Sequence, residues 1–444
     1  MYYFTKKITD DRNVGVLSSI LYMVMPYHLT DMYIRGSVGE FLSFVFIPII
    51  FLGLYNLFHE EKKDWLLVIG SVGIIITHNL MTLICAIIAF IYVAVNLPKL
   101  KVKKIREKFI FNIVFIICIS SFFWVPLFGT SINTRYEVYE PGKMATAESV
   151  QNSGITLRQL VITYNDGSYA FELGPYILIM LCFTISAFRR VAPEMKKEYI
   201  FFLIIGILAT FMSTKYFPWK FIGNKISMIQ FAWRMLTITC FCFSFICAIN
   251  IGIVIKNFKF IDAVVLCTIA VLYAFALRGL VPQTNDKLQK PEDMDFGFVT
   301  GRNTDCLVGM GKNEYLPKNA YDNYFYLATR ESSIIVLEGD AKFENTSKKG
   351  NKLSSRIEVL EDKTLIELPY VYYPGYTVTI DGSEVQTFES ENGFLAIGLG
   401  KLTPADLKVE YTGTATMRFS KVFSIISLIL FIGYIIVLRF EKEE

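Results

Sequence analysis

The chain has 444 residues, of which 53% are hydrophobic, 15% aromatic and only 19% charged, with a mean hydropathy of +0.43. A solvated surface needs roughly a quarter of its residues charged, so the composition excludes an ordinary soluble globule and points to a membrane protein with many crossings. The net charge of +4, with Lys and Arg spread over short connectors, excludes a nucleic-acid partner.

The apolar runs predict a membrane all-α polytopic bundle of about ten transmembrane helices, each needing about 20 residues. They fall near 13–29, 41–58, 65–78, 80–97, 109–127, 174–188, 199–215, 229–251, 260–279 and 418–438. The first follows a basic stretch in the manner of a signal peptide, but no small-residue cleavage site follows Met25-Pro26-Tyr27-His28, so it is kept as a helix. The stretch 65–97 would be about 50 Å long as one helix, too long for a single perpendicular crossing. Two short helices hinged at His78-Asn79 fit it better.

Orientation follows from the positive residues of the short connectors. One set of connectors carries 19 Lys and Arg in 53 residues, and the opposite set (30–40, 129–173 and 215–228) carries 7 in 70. Both termini are therefore expected in the cytoplasm of a bacterial plasma membrane. Residues 1–282 form the membrane domain, 283–417 an extracytoplasmic β-rich domain, and 418–444 a final helix with a cytoplasmic tail. The run 99–108 reads as a topology signal with an attraction to anionic membrane lipids. Trp65, Trp124, Trp219 and Trp233 fall at predicted interfaces.

From about 283 the composition turns polar, and the second half of this segment alternates as antiparallel strands do. Tyr376, Val378 and Ile380 precede an Asp381-Gly382 hairpin turn, and Asn392-Gly393 supplies a second before strands at 394–399 and 407–411. A β-sandwich is the expected form. The run Tyr370-Val371-Tyr372-Tyr373 reads as sandwich core or membrane contact in preference to a sugar-stacking surface.

Seven of the eight cysteines lie in apolar runs, which encodes no disulfide framework. The three histidines His28, His59 and His78 are distributed over both faces, which argues against a three-histidine zinc site.

Two polar clusters at membrane depth are candidate sites, because ionisable groups there are costly. The first runs from His28 to Glu40 and contains Asp31, Tyr33 and Arg35. If helical, Asp31 and Arg35 sit one turn apart and pair with each other. Alternatively Arg35 holds a phosphate through its planar fork while Asp31 or Glu40 orients a hydroxyl or a metal. The second cluster is Gln230-Phe231-Ala232-Trp233-Arg234, where Gln230 and Arg234 lie a turn apart and both reach a lipid-borne phosphate. Snorkelling of Arg234 and a belt position for Trp233 are the competing accounts. His78 reads first as a polar hinge and second as a ligand. The turn Tyr164-Asn165-Asp166-Gly167-Ser168 and Glu172 are weaker candidates. No phosphate loop, nucleophile elbow or metal-ligand spacing is present.

The stretch Pro26-Tyr27-His28-Leu29-Thr30-Asp31-Met32-Tyr33-Ile34-Arg35-Gly36, continuing through Glu40-Phe41-Leu42 to Pro48, resembles a segment of the bacterial YfhO-type membrane proteins and of the related family labelled 6-pyruvoyl-tetrahydropterin synthase-related. Thr77-His78-Asn79-Leu80, the Gln230 to Arg234 run, Tyr373-Pro374-Gly375-Tyr376 and Asp381-Gly382 extend the resemblance over most of the chain. The synthase label does not carry over, since that enzyme needs a zinc triad of histidines. The family is similar to GT-C integral membrane glycosyltransferases, which transfer sugar from a polyprenyl-phosphate donor to a cell-envelope glycan acceptor. That resemblance implies Asp31 or Glu40 as catalytic base, with Tyr33, Arg35, His78, Gln230, Trp233 and Arg234 as substrate-binding residues, and it leaves room for a divalent metal. The family's usual first helices and their acidic outer loop are missing before Met1, which implies a truncated member, a non-catalytic relative, or a partner chain that supplies those helices. Two other classes stay open: a lipid-glycan transporter, and a non-catalytic protein for envelope glycan binding or assembly.

Overall fold

The computed structural model describes residues 1–59, 63–139, 146–161, 171–174, 176–223, 228–255, 270–271, 274 and 315–440. The chain divides into two compact units. The first comprises Met1–Ser120, Ala145–Leu288 and Ser427–Glu444, and the second Ser121–Met144 with Gln289–Ile426.

The first unit is helical. Helix α1 (Tyr2–Thr9) turns through Asp10, at φ 51°, into α2 (Arg12–Met23). Asp11 caps α2 by accepting from the backbone N–H groups of Asn13 (2.7 Å) and Val14 (3.2 Å). The expected span 13–29 is instead broken at Val24 and Met25, because Pro26 opens a separate helix, α3 (Pro26–Thr30). Helix α1 corrects the expectation of a plain basic connector. Phe4 is buried, with its ring 5.4 Å from Phe202, 5.1 Å from Phe241 and 5.2 Å from Phe245.

Helix α4 (Val38–Phe58) is followed by α5 (Leu66–Thr77) and α6 (Asn79–Val95), and the break between the last two falls at His78 as the 65–97 stretch predicts. The histidine Nδ1 accepts the Met81 N–H at 3.1 Å and so caps α6. Helices α4 and α5 touch through glycines. A Cβ on Gly53 would lie 2.2 Å from the Leu67 nitrogen, and one on Gly70 would lie 2.7 Å from the Ile50 nitrogen. In a membrane, such bare backbone surfaces give close helix approach where apolar burial gives little drive.

The bundle continues with α7 (Lys103–Ile119), α8 (Ser121–Asn133, in the second unit), α9 (Ala147–Asn152), α10 (Leu157–Val161), α11 (Tyr176–Phe188), α12 (Pro193–Met212), α13 (Trp219–Ile222) and α14 (Leu236–Ile255). Among the described residues three helices are long and apolar enough to cross a membrane: Val38–Phe58, Ala232–Val254 and Ala415–Leu438. A fourth is obtained if Lys103–Ile119 and Ser121–Ile132 count as one broken span. On this criterion three or four of the expected ten are borne out among the described residues. The runs at 65–78, 80–97 and 174–188 form helices of only 12, 17 and 13 residues, and 199–215 opens on charged residues as part of α12. The expected span 260–279 and the turn 164–168 lie outside the described residues.

Among the described residues the second unit carries nine strands in two antiparallel sheets, ordered β1-β4-β8-β7 and β2-β3-β9-β5-β6. The strands are β1 (Ile335–Glu338), β2 (Ala341–Lys349), β3 (Lys352–Val359), β4 (Thr364–Val371), β5 (Tyr376–Ile380), β6 (Ser383–Val385), β7 (Thr387–Glu389), β8 (Phe394–Leu399) and β9 (Leu402–Tyr411). Ile366, Leu368, Leu395 and Ile397 of one sheet share a core with Leu353, Ile357, Val378, Leu407 and Val409 of the other, which makes a sandwich. Asp381 and Gly382, at φ 48° and 82°, form the expected hairpin turn and set Ile380 opposite Ser383. Tyr370 enters the core and Tyr372 packs on its edge. Strands β1 to β4 lie outside the expected strands, although in β3 Leu353, Ile357 and Val359 are buried in alternation with Lys352, Arg356 and Glu358.

Candidate functional site

The polar stretch after α3 does not continue as an α-helix. Asp31–Arg35 form a turn of π-helix that ends at Gly36, whose φ of 58° is unfavourable for any residue with a Cβ. The wider turn and the reversal at Gly36 bring Arg35 back over Asp31 and toward Glu40 in the first turn of α4. From the other side, the 3₁₀ turn Ala232–Met235 leads into α14 and delivers Arg234 to the same place.

Glu40 is fully buried and both its oxygens are occupied. Oε1 accepts from the Tyr27 hydroxyl at 2.6 Å and the Thr237 hydroxyl at 3.1 Å, while Oε2 meets Arg35 Nη1 and Arg234 Nε, each at 3.0 Å. Arg35 Nη1 also pairs with Asp31 Oδ1 and reaches the Tyr27 hydroxyl at 3.3 Å. Arg234 Nη1 donates to the Ile229 carbonyl (2.9 Å) and to Gln230 Oε1 (3.2 Å). Two carboxylates and two guanidinium groups thus balance in charge, which is the condition under which buried ions are tolerated.

What the cluster leaves open is specific. Asp31 is fully buried, yet its Oδ2 has no hydrogen-bond partner among the described residues. Burial pushes its carboxyl up to about 7, reinforced by Glu40 and opposed by Arg35 and Arg234. Arg35 uses only Nη1, so its Nε and Nη2 edge makes no hydrogen bond to the described residues. Its guanidinium carbon sits 4.2 Å over the Trp233 ring. Trp233 is itself stacked near-parallel on Phe171 (4.3 Å) and Phe231 (4.7 Å), so the indole orients Arg35 through a cation–π contact.

The sequence candidates separate accordingly. Asp31, Arg35, Glu40, Gln230, Trp233 and Arg234 come together. Tyr33 stands apart at 58% exposure. His78 caps α6 nearby, where Gly39 approaches it closely enough that a Cβ would lie 3.2 Å from its Cδ2 and 2.6 Å from the Thr77 carbonyl. In the first cluster Asp31 and Arg35 pair with each other, and the Nε and Nη2 of Arg35 make no hydrogen bond to the described residues. Trp233 is buried in the aromatic stack and does not face outward as a belt residue would. Gln230 and Arg234 remain partners, although Gln230 is at φ 61° and no α-helical turn joins them. Sequence reasoning missed Tyr27, four residues before Asp31, and Thr237, three after Arg234. The only available signal was their spacing from charged residues. Phe171 had none.

A divalent metal does not fit this donor set. Glu40 has no free oxygen, Asp31 offers one beside a guanidinium, and among the described residues no three of His, Cys, Asp and Glu gather as ligands. The histidines are equally scattered. His28 stacks on Phe44 at 4.1 Å, and His59 lies 3.8 Å from Glu198.

Long apolar helices and a buried, charge-balanced polar cluster define an integral membrane protein with a candidate site in its helical unit. Residues 1–285 match the profile of the family described as 6-pyruvoyl-tetrahydropterin synthase related domain, membrane protein, and the chain belongs to that family. Comparison with curated proteins and with solved structures gives no significant match.

Proposed function

We propose that the chain is a glycosyltransferase of the GT-C type that takes sugar from a polyprenyl-phosphate donor and adds it to a cell-envelope glycan on the outer face. One observation carries the proposal: Arg35 pairs through Nη1 with Asp31 Oδ1, while its Nε and Nη2 and the Oδ2 of Asp31 make no hydrogen bond to the described residues. A guanidinium edge matches two phosphate oxygens, and an unpartnered carboxylate oxygen accepts a proton. The acceptor hydroxyl oxygen attacks the anomeric carbon and its proton passes to Asp31 Oδ2. The bond from that carbon to the phosphate oxygen breaks with its electron pair retained by the lipid phosphate, whose charge Arg35 holds. Glu40, with both oxygens saturated, anchors the two arginines and is not the base. The predicted outward orientation of the connector 30–40 places this chemistry outside the cell.

The test is transfer from a radiolabelled polyprenyl-phosphate sugar in membranes. Asp31→Asn is expected to lower transfer at least about a hundredfold, the scale of a lost general base, while donor binding persists. Arg35→Lys keeps the charge, loses the planar edge and is expected to weaken donor binding. Unchanged transfer in both variants removes the assigned roles. Donor binding without turnover in the unaltered chain selects the non-catalytic assembly protein, and donor movement across the bilayer without transfer selects the transporter.

A further inference from the structure

The second unit contains a polar cavity of about 300 Å³ that none of the chemistry above uses. Its rim is held by backbone bonds: Lys318 N–H donates to the Arg135 carbonyl at 2.7 Å, and Glu137 N–H to the Leu316 carbonyl at 3.1 Å. On the opposite side Asn319 Nδ2 donates to the Ser390 carbonyl at 3.0 Å, tying the helix Lys318–Asp322 to the turn between β7 and β8. That turn abuts the helix so closely that a Cβ on Gly393 would lie 2.4 Å from the Ala320 nitrogen. The walls are therefore formed before any ligand arrives, which lowers the ordering cost of binding.

The lining decides the ligand class. The charged side chains of the lining, Arg135, Lys318, Asp322 and Glu389, sum to zero; Lys318 Nζ pairs with both oxygens of Asp322, at 2.5 and 2.7 Å, and the Asn319 side chain hydrogen-bonds Glu389. The lining is neutral overall and favours no ionic ligand. It offers Tyr372 as a flat apolar surface, the Glu389 carboxylate, and the Thr134 hydroxyl, whose oxygen is buried without a partner among the described residues. An aromatic surface ringed by donors and acceptors, in a space at the small end of the range for ligand pockets, matches the two faces of a sugar ring. We infer that this cavity binds one uncharged hexose unit of a glycan, held against Tyr372 with its hydroxyls on Thr134, Arg135 and Glu389. The site stands within the second unit and does not depend on the transferase reading.

The test is saturation-transfer NMR on the full chain in lipid nanodiscs, with empty nanodiscs as control and maltotriose, chitotriose and glucose 1-phosphate as probes. Saturation transfer to a neutral trisaccharide is expected, lost in Tyr372→Leu and weakened about tenfold in Glu389→Gln, the loss of one charged hydrogen bond. Glu389 is exposed on its strand, so its substitution reports binding with an intact fold. Arg35→Lys is expected to leave the signal unchanged, which separates this site from the one in the helical unit. Silence with both trisaccharides, an unaltered signal in Glu389→Gln, or preference for glucose 1-phosphate overturns the assignment.

Discussion

Replacing Glu40 by Ala is the most direct perturbation of the helical unit. The substitution removes the acceptor shared by Arg35, Arg234, Tyr27 and Thr237. The side chains of Arg234 and Arg35 are only 7% and 12% exposed, so water cannot replace the lost carboxylate. Arg35 retains Asp31, whereas Arg234 is left with the neutral oxygens of Ile229 and Gln230. Removing one member of a buried ionic group typically costs about 3–5 kcal/mol. At about 2–4 °C per kcal/mol for a unit of this size, Tm falls by on the order of 10 °C. Thermal unfolding followed by tryptophan emission in nanodiscs is a suitable assay, because Trp233 lies 6.4 Å from Tyr27 and directly beneath Arg35. Glu40→Gln keeps an amide oxygen for Tyr27 and Thr237 but no charge, and is expected to fall between the unaltered chain and Glu40→Ala. Adding Arg234→Met to Glu40→Ala removes the stranded charge and is expected to recover part of the loss. A Tm drop under about 2 °C in Glu40→Ala would refute the idea that the cluster is an electrostatic unit.

Asp31 sets a pH dependence of known sign. Its folded-state value of about 7 lies above the ordinary 3.8, so the folded chain holds a proton that the unfolded chain has lost; stability falls as pH rises between about 4 and 7 and is level beyond. Comparing Tm at pH 5 and pH 8 in the unaltered chain and in Asp31→Asn checks this, and an equal difference in both would exclude Asp31 as its source. As the base, Asp31 must be deprotonated, so transfer activity is expected to rise through about pH 7. Gly53→Ala drives a methyl group into the Leu67 backbone, and separation of α4 from α5 is expected to cost about 1–3 kcal/mol, readable as a lower Tm; an unchanged Tm would show that the contact gives way freely. In the sandwich, Glu367 is fully buried and receives Arg330 (3.1 Å), Tyr326 (2.9 Å), Ser390 (2.7 Å) and Asn392 (3.2 Å). Glu367→Ala is expected to destabilise that unit by about 3–5 kcal/mol, seen as earlier proteolysis of the β-rich segment on heating. Unaltered proteolysis would place the stability of the unit in its apolar core alone.

Composition and hydropathy were sufficient for the membrane class, because the transfer of apolar surface depends on residue type and run length and not on neighbours in space. Local chemistry likewise announced the His78 break and the Asp381-Gly382 hairpin, since capping and positive φ are decided within a few residues. The two charged clusters were visible as costs: Arg35 and Arg234 sit where an unpaired charge is not tolerated. What pays no local signal was hidden. Half the positions of helix α1 are polar, and the rings of Phe202, Phe241 and Phe245 explain why Phe4 is buried.

Tertiary structure alone decided which partner each charge takes. Glu40 and Arg234 are 194 residues apart, and Glu40 and Thr237 are 197 apart. No propensity or spacing rule relates such positions, because their meeting depends on how α4 and the turn before α14 pack. The same packing occupies both oxygens of Glu40 and leaves a single oxygen of Asp31 and one edge of Arg35 without a partner among the described residues. Residue chemistry named the groups able to act; the fold selected, by saturating the rest, the atoms that remain available.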